Sequence, residues 1–148
     1  MFDFRYVSPE ILKGNAAHLS TDLWAFGCIV YQMLSGVPPF RSNSEYLIFQ
    51  KITSCDYSFP ENFNEDAKDL VTKLLQFDPK NRIGSNDLKD VRYYTIRKHR
   101  FFEGIMWETL RNTTPPEMTQ SGESDEENFT VSDDIEPGEF STLKLDIC

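Results

Sequence analysis

Three short stretches hold the polar residues whose types and spacing could do chemistry: Tyr6–Glu10 (YVSPE), Asp22–Gly27 (DLWAFG) and Asp78–Gly84 (DPKNRIG). Glu10 and Arg82 each lie beside apolar residues, and a carboxylate–guanidinium fork suits burial, so the two are expected to pair. Each also has a plainer reading as a surface charge. Asp22 stands at the head of an apolar run and can satisfy helical N–H groups as an ordinary cap, or accept hydrogen bonds from a neighbouring loop. His18 and His99 have no companion cluster for catalysis and read as structural or surface residues. Cys28, Cys55 and Cys148 are widely spaced, odd in number and free of Cys-x-x-Cys or Cys/His spacing, so neither a disulfide framework nor a zinc site is expected. No catalytic residue and no metal ligand is identified.

The elements that must position these residues are helices. From Asp22 to Leu34 only Asp22 and Gln32 are clearly polar, which leaves no outward face for water. Thirteen residues are too few to cross a bilayer, which takes about 20. The run therefore predicts a central helix capped by Ser20 or Thr21 and ended by Gly36, with Cys28 as a small core residue. Ser8 with Pro9 predicts a brief helix stopped by Gly14. Ser44 caps EYLIFQKIT, and Asn64 caps EDAKDLVTKLLQ, where Ala67, Leu70, Val71, Leu74 and Leu75 follow the helical spacing. Residues 87–98 mix strand-like and helical signals, and a short helix is expected near Trp107–Leu110.

Charge divides the chain. Residues 1–111 carry 14 acidic and 14 basic side chains, whereas residues 112–148 carry 10 acidic ones and only Lys144, so the net charge of -9 belongs to the C-terminal stretch. A basic footprint for nucleic acid is absent from both. The acidic stretch, with Pro115-Pro116 at its start, reads as disordered, because one-sign charge with scattered apolar residues cannot offset the entropy of ordering. Ser124 and Ser132, each followed by acidic residues, are phosphoacceptor candidates. No secretory signal is seen at the N-terminus, and the cysteine usage fits a reducing, cytoplasmic location.

In this order and spacing the three stretches resemble the C-terminal lobe of eukaryotic serine/threonine protein kinases. SPE is similar to the family's A-P-E triplet, DLWAFG to its D-x-W-x-x-G helix start, and DPKNRIG to its D-x-x-x-R turn. PPFRSNSEYLIFQKI, FPENF, LLQFDPKNRIG and HRFFEGIMWETL narrow the resemblance to the phosphoinositide-dependent protein kinase subfamily of the AGC group, over roughly residues 5–118. The implied fold is mainly α: an incomplete helical kinase lobe over residues 1–118, followed by the acidic tail at 119–148.

The resemblance also implies roles. Tyr6, Val7 and Pro9 would belong to the substrate loop. Glu10 would pair with Arg82, Asp22 would brace the catalytic loop's backbone, and Trp24 and Gly27 would support the same frame. The complete family member uses ATP and Mg²⁺ and phosphorylates protein hydroxyls, here AGC-type kinases as substrates. The Gly-rich loop, the strand Lys, H-R-D and D-F-G are not found in this sequence. MFDFR also stands where the family has Gly-Thr before the Tyr, and Arg100 follows His99 where it often has Pro. The chain alone is therefore expected to be inactive and to bind no cofactor, as a truncated gene model, a fragment or a real short form from an unusual start site. Two other readings compete: a catalytically silent helical protein-binding module, and a helical repeat protein, which the lack of any period disfavours.

Overall fold

A computed structural model of the chain describes residues 4–87 and 93–115. Two units are distinguished, residues 1–110 and 111–148, and the account below concerns the first. The expected acidic tail, with Ser124 and Ser132, lies outside the described residues, as do residues 88–92.

Five α-helices are present among the described residues, α1 (Pro9–Leu12), α2 (Leu19–Ser35), α3 (Glu45–Ser54), α4 (Glu65–Leu74) and α5 (Tyr94–Arg97), with short 3-10 turns before α1, between α4 and α5, and after α5. None of these residues forms a strand, in keeping with a helical kinase lobe. Among them, too, no helix is long and apolar enough to cross a membrane.

The central helix, α2, starts earlier than its polar residues suggest. His18 is the N-cap and its backbone N–H donates to Thr21 Oγ1 at 3.0 Å, so Thr21 works from the third helical position rather than as the cap. Gly36, at φ 78°, ends the helix and donates its N–H to the Gln32 carbonyl at 2.8 Å. Leu23, Trp24, Gly27, Cys28, Val30 and Tyr31 are buried along one stripe. The opposite side is open: Ile29 is 47% and Met33 80% exposed. The expectation that α2 has no outward face is corrected here, because the described elements leave the side of Ile29 and Met33 uncovered.

Helix α4 supplies that cover. Asn64 Oδ1 accepts the Ala67 N–H at 2.9 Å, and the amphipathic spacing then turns Ala67, Leu70, Val71 and Leu74 inward, all fully buried. Each buried leucine contributes about 1.5–3 kcal/mol. Helix α3 begins as expected, with Ser44 Oγ accepting the Leu47 N–H at 3.3 Å. The loop between α3 and α4 closes the core with rings. Tyr31 stacks on Phe63 at 5.5 Å, touches Tyr57 and Phe59, and donates its hydroxyl proton to the Ser58 carbonyl at 2.7 Å.

Past the DPKNRIG turn, Tyr94–Arg97 is a single helical turn entered through Tyr93 at φ 62°. The short helix expected near Trp107–Leu110 is instead a 3-10 turn at Leu110–Asn112.

Candidate functional site

Pro9 and Glu10 open α1, with Ser8 at the cap position, and this places the Glu10 carboxylate inward at the foot of α2. Arg82 arrives from the far side. Asp78 Oδ1 accepts the Lys80 N–H at 2.9 Å, fixing the 3-10 turn Pro79–Asn81, and the chain then extends through Arg82. The two side chains meet as a fork: Arg82 Nη1 donates to Glu10 Oε1 and Nη2 to Oε2, both at 2.7 Å. Both are buried, Arg82 at 0% and Glu10 at 6% side-chain exposure.

The remaining donors of Arg82 reach two further elements. Nη1 donates to the Ser20 carbonyl at 2.7 Å, and Nε to the Gln76 carbonyl at 3.0 Å. Thr21 Oγ1 donates to Glu10 Oε1 at 3.0 Å. One guanidinium thus ties α1, the start of α2 and the end of α4 together. Burial by itself would push the Glu10 carboxyl up, but the hydrogen bonds and charge of Arg82 outweigh it and hold the carboxyl down at about 2. Glu10 is therefore ionised at neutral pH, as the fork requires.

Trp24 forms the floor of this arrangement. Its ring lies 5.1 Å from the Arg82 guanidinium carbon and stacks on Phe40 at 5.4 Å, nearly parallel. The indole N–H has no partner among the described residues, so Trp24 contributes its face. Gly27, one turn on, lies against α4: a β-carbon there would stand 2.9 Å from Leu74 Cβ and from Leu75 Cδ2. This closeness is what the mid-helix glycine permits. Next to it Cys28 is fully buried, and desolvation pushes its thiol up to about 12.

The lead-in segment lies beside the site. Tyr6 is half-buried and donates its hydroxyl proton to Gln32 Oε1 of α2, and Phe4 packs edge-on against Phe49 of α3 at 5.2 Å. Val7 is half-buried and Pro9 fully buried. Glu10, Arg82, Trp24 and Gly27 therefore lie along the first half of α2, while Tyr6 reaches its later part at Gln32.

Asp22 does not join the fork. It is exposed, sits at the fourth position of α2 rather than at the cap, and has no hydrogen-bond partner among the described residues. It lines instead an apolar cavity of about 450 Å³, together with Leu23, Phe26, Tyr93, Ile96, Arg97, Phe102 and Trp107. Neither the cavity nor the surroundings of His99 were legible from residue spacing, because both are assembled from segments more than 60 and 25 residues apart in the chain.

Among the described residues no group of three or more His, Cys, Asp or Glu side chains could hold a metal ion.

The family profile of the protein kinase domain matches residues 1–94. The chain is 50% identical over 115 residues to 3-phosphoinositide-dependent protein kinase 1 of Rattus norvegicus, which covers 78% of this chain and 20% of that protein. It is 45% identical over 113 residues to 3-phosphoinositide-dependent protein kinase 1 of Arabidopsis thaliana (76% and 22%). It is 43% identical over 119 residues to serine/threonine-protein kinase ksg1 of Schizosaccharomyces pombe (80% and 19%). The chain spans about a fifth of the length of these curated relatives.

Proposed function

The chain belongs to the protein kinase family, and on that premise we propose that residues 1–118 are the substrate-side part of the helical lobe of a serine/threonine protein kinase, with residues 119–148 as its acidic extension. The complete protein would transfer the γ-phosphoryl group of ATP to a protein hydroxyl, with AGC-type kinases as substrates, in the cytoplasm and without nucleic acid. Kinases of this family use ATP and Mg²⁺, which carry and neutralise the transferred group. The motifs that hold them are not found in this sequence, so this chain's own residues supply positioning.

The observation that carries the reading is the Glu10–Arg82 fork. It fixes the segment Tyr6–Pro9 against α2 through a buried, bidentate contact between Glu10 and Arg82. A segment so fixed can hold an extended peptide in one register, and holding a hydroxyl in line is most of what phosphoryl transfer asks of the helical lobe. Tyr6 and Val7 face that role from the lead-in, with Tyr6 steadied by Gln32. Trp24 and Gly27 support the frame from within α2. Asp22, exposed and without a partner among the described residues, suits a carboxylate that accepts backbone N–H groups from a catalytic loop.

The test is a chimera in which residues 6–111 replace the matching segment of a curated kinase relative. Phosphorylation of the relative's peptide substrate by the chimera supports the proposal. A folded chimera that binds ATP yet leaves the peptide unmodified overturns it. That outcome would favour a catalytically silent binding module, for which the exposed Ile29 and Met33 of α2 offer a surface.

A further inference from the structure

His99 is one of only two histidines in the chain and is buried, whereas His18 is exposed. It stands at the junction between α5 and the 3-10 turn Arg100–Phe102, and both of its ring nitrogens are engaged. Nδ1 accepts the Phe101 N–H at 3.3 Å and caps the turn. Nε2 lies 2.8 Å from Asp69 Oδ2 on α4. A nitrogen that accepts a backbone N–H must carry a lone pair, so the proton of the neutral ring sits on Nε2 and is donated to Asp69.

Charged groups of two elements stand around the ring. From α4, Asp69 also receives Lys73 Nζ at 2.6 Å, and Asp66 receives Arg100 Nη2 at 3.0 Å. On the ring's own segment, Arg97 lies over the Trp107 ring and Lys98 over the Tyr94 ring. A proton on Nδ1 would face the Phe101 N–H donor to donor.

We infer that His99 is a proton-sensitive clasp: as the neutral Nε2–H tautomer it fastens the 3-10 turn to α4, and protonation of Nδ1 releases the cap at Phe101. The segment it fastens carries Phe102 and Trp107, which line the cavity beside α2, so the clasp also sets the closure of that wall.

The experiment is long-range ¹H–¹⁵N NMR on the full chain labelled at histidine and backbone nitrogen, with His18 as internal reference. In the neutral form, His99 is expected to show the single Nε2–H tautomer and His18 an averaged mixture. As His99 takes up its second proton, the Phe101 amide is expected to shift with it and to lose about tenfold in exchange protection, the order of one lost hydrogen bond. In Asp69→Ala, His99 should relax toward the mixture of His18. An Nδ1–H tautomer, a mixture matching His18 in the unaltered chain, or a Phe101 amide indifferent to the protonation of His99 overturns the inference. The unaltered chain decides the matter even if Asp69→Ala does not fold.

Discussion

Gly27 of α2 and Leu74 of α4 approach so closely that a β-carbon on Gly27 would stand 2.9 Å from that of Leu74. Real side chains do not come that near, so the two helices would have to move apart. In an exposed helix interior, Gly→Ala adds about 1 kcal/mol of stability through propensity. Here overpacking opposes that gain, typically by about 1–3 kcal/mol. Gly27→Ala is expected to lower the urea midpoint without changing the slope, and an unchanged or raised midpoint would contradict this contact.

Removing one member of the Glu10–Arg82 fork strands a buried charge. Glu10→Gln and Arg82→Met are each expected to cost roughly 3–5 kcal/mol, and the double variant much less than the sum. Denaturant unfolding of all four proteins measures the coupling. Simple additivity would mean that the fork stabilises nothing as a pair.

Acid should act through the same carboxylate. Its pKa falls from 4.5 to about 2 on folding, so its contribution to stability is complete above about pH 4.5 and is lost as pH falls toward 2. Unfolding followed from pH 6 to pH 2 is expected to show this loss. In Glu10→Gln the corresponding part of the slope should vanish; an identical slope in both proteins would assign the acid sensitivity elsewhere.

The 148-residue chain, purified by itself, is expected to transfer no phosphate. Phosphoryl transfer rests on positioning and electrostatic stabilisation, and the motifs that position ATP and Mg²⁺ are not found in its sequence. A radiometric assay with a peptide substrate checks this, and activity surviving removal of contaminating kinases would refute it.

Ser124 precedes Asp125, Glu126 and Glu127, and Ser132 precedes Asp133 and Asp134. An acidophilic kinase is expected to modify one or both, each phosphate adding about -1.5 to -2 charge. Mass spectrometry after incubation reads the outcome. Unmodified serines would leave the acidic stretch with a solubilising role only.

Much of the helical framework was legible in the sequence, because Ser44, Asn64 and Gly36 mark helix ends by local chemistry that acts within a few residues. The capping of α2 was not, since Thr21 acts through the backbone of His18 and a rule that looks for a polar residue at the cap itself misplaces the start. The apolar run of α2 showed that the helix wants cover on all sides. It carried no information on which sides this chain supplies, and Ile29 and Met33 stand open. Asp22 and His99 show the same limit. Asp22 heads an apolar run and His99 sits in a basic one, yet Asp22 is exposed and His99 is buried and held at both nitrogens by partners two and thirty residues away.

The Glu10–Arg82 fork also closes a loop of chain. The partners are 72 residues apart, and α2, α3 and α4 all lie between them. Joining such distant ends costs on the order of 4 kcal/mol in chain entropy before the fork returns anything. Docking of the helices it encloses brings those ends near, so the fork acts as a seal on the folded lobe. A single backbone nick in the exposed turn at Arg41–Ser44 would turn this intramolecular closure into an association of two pieces, whose integrity falls with dilution.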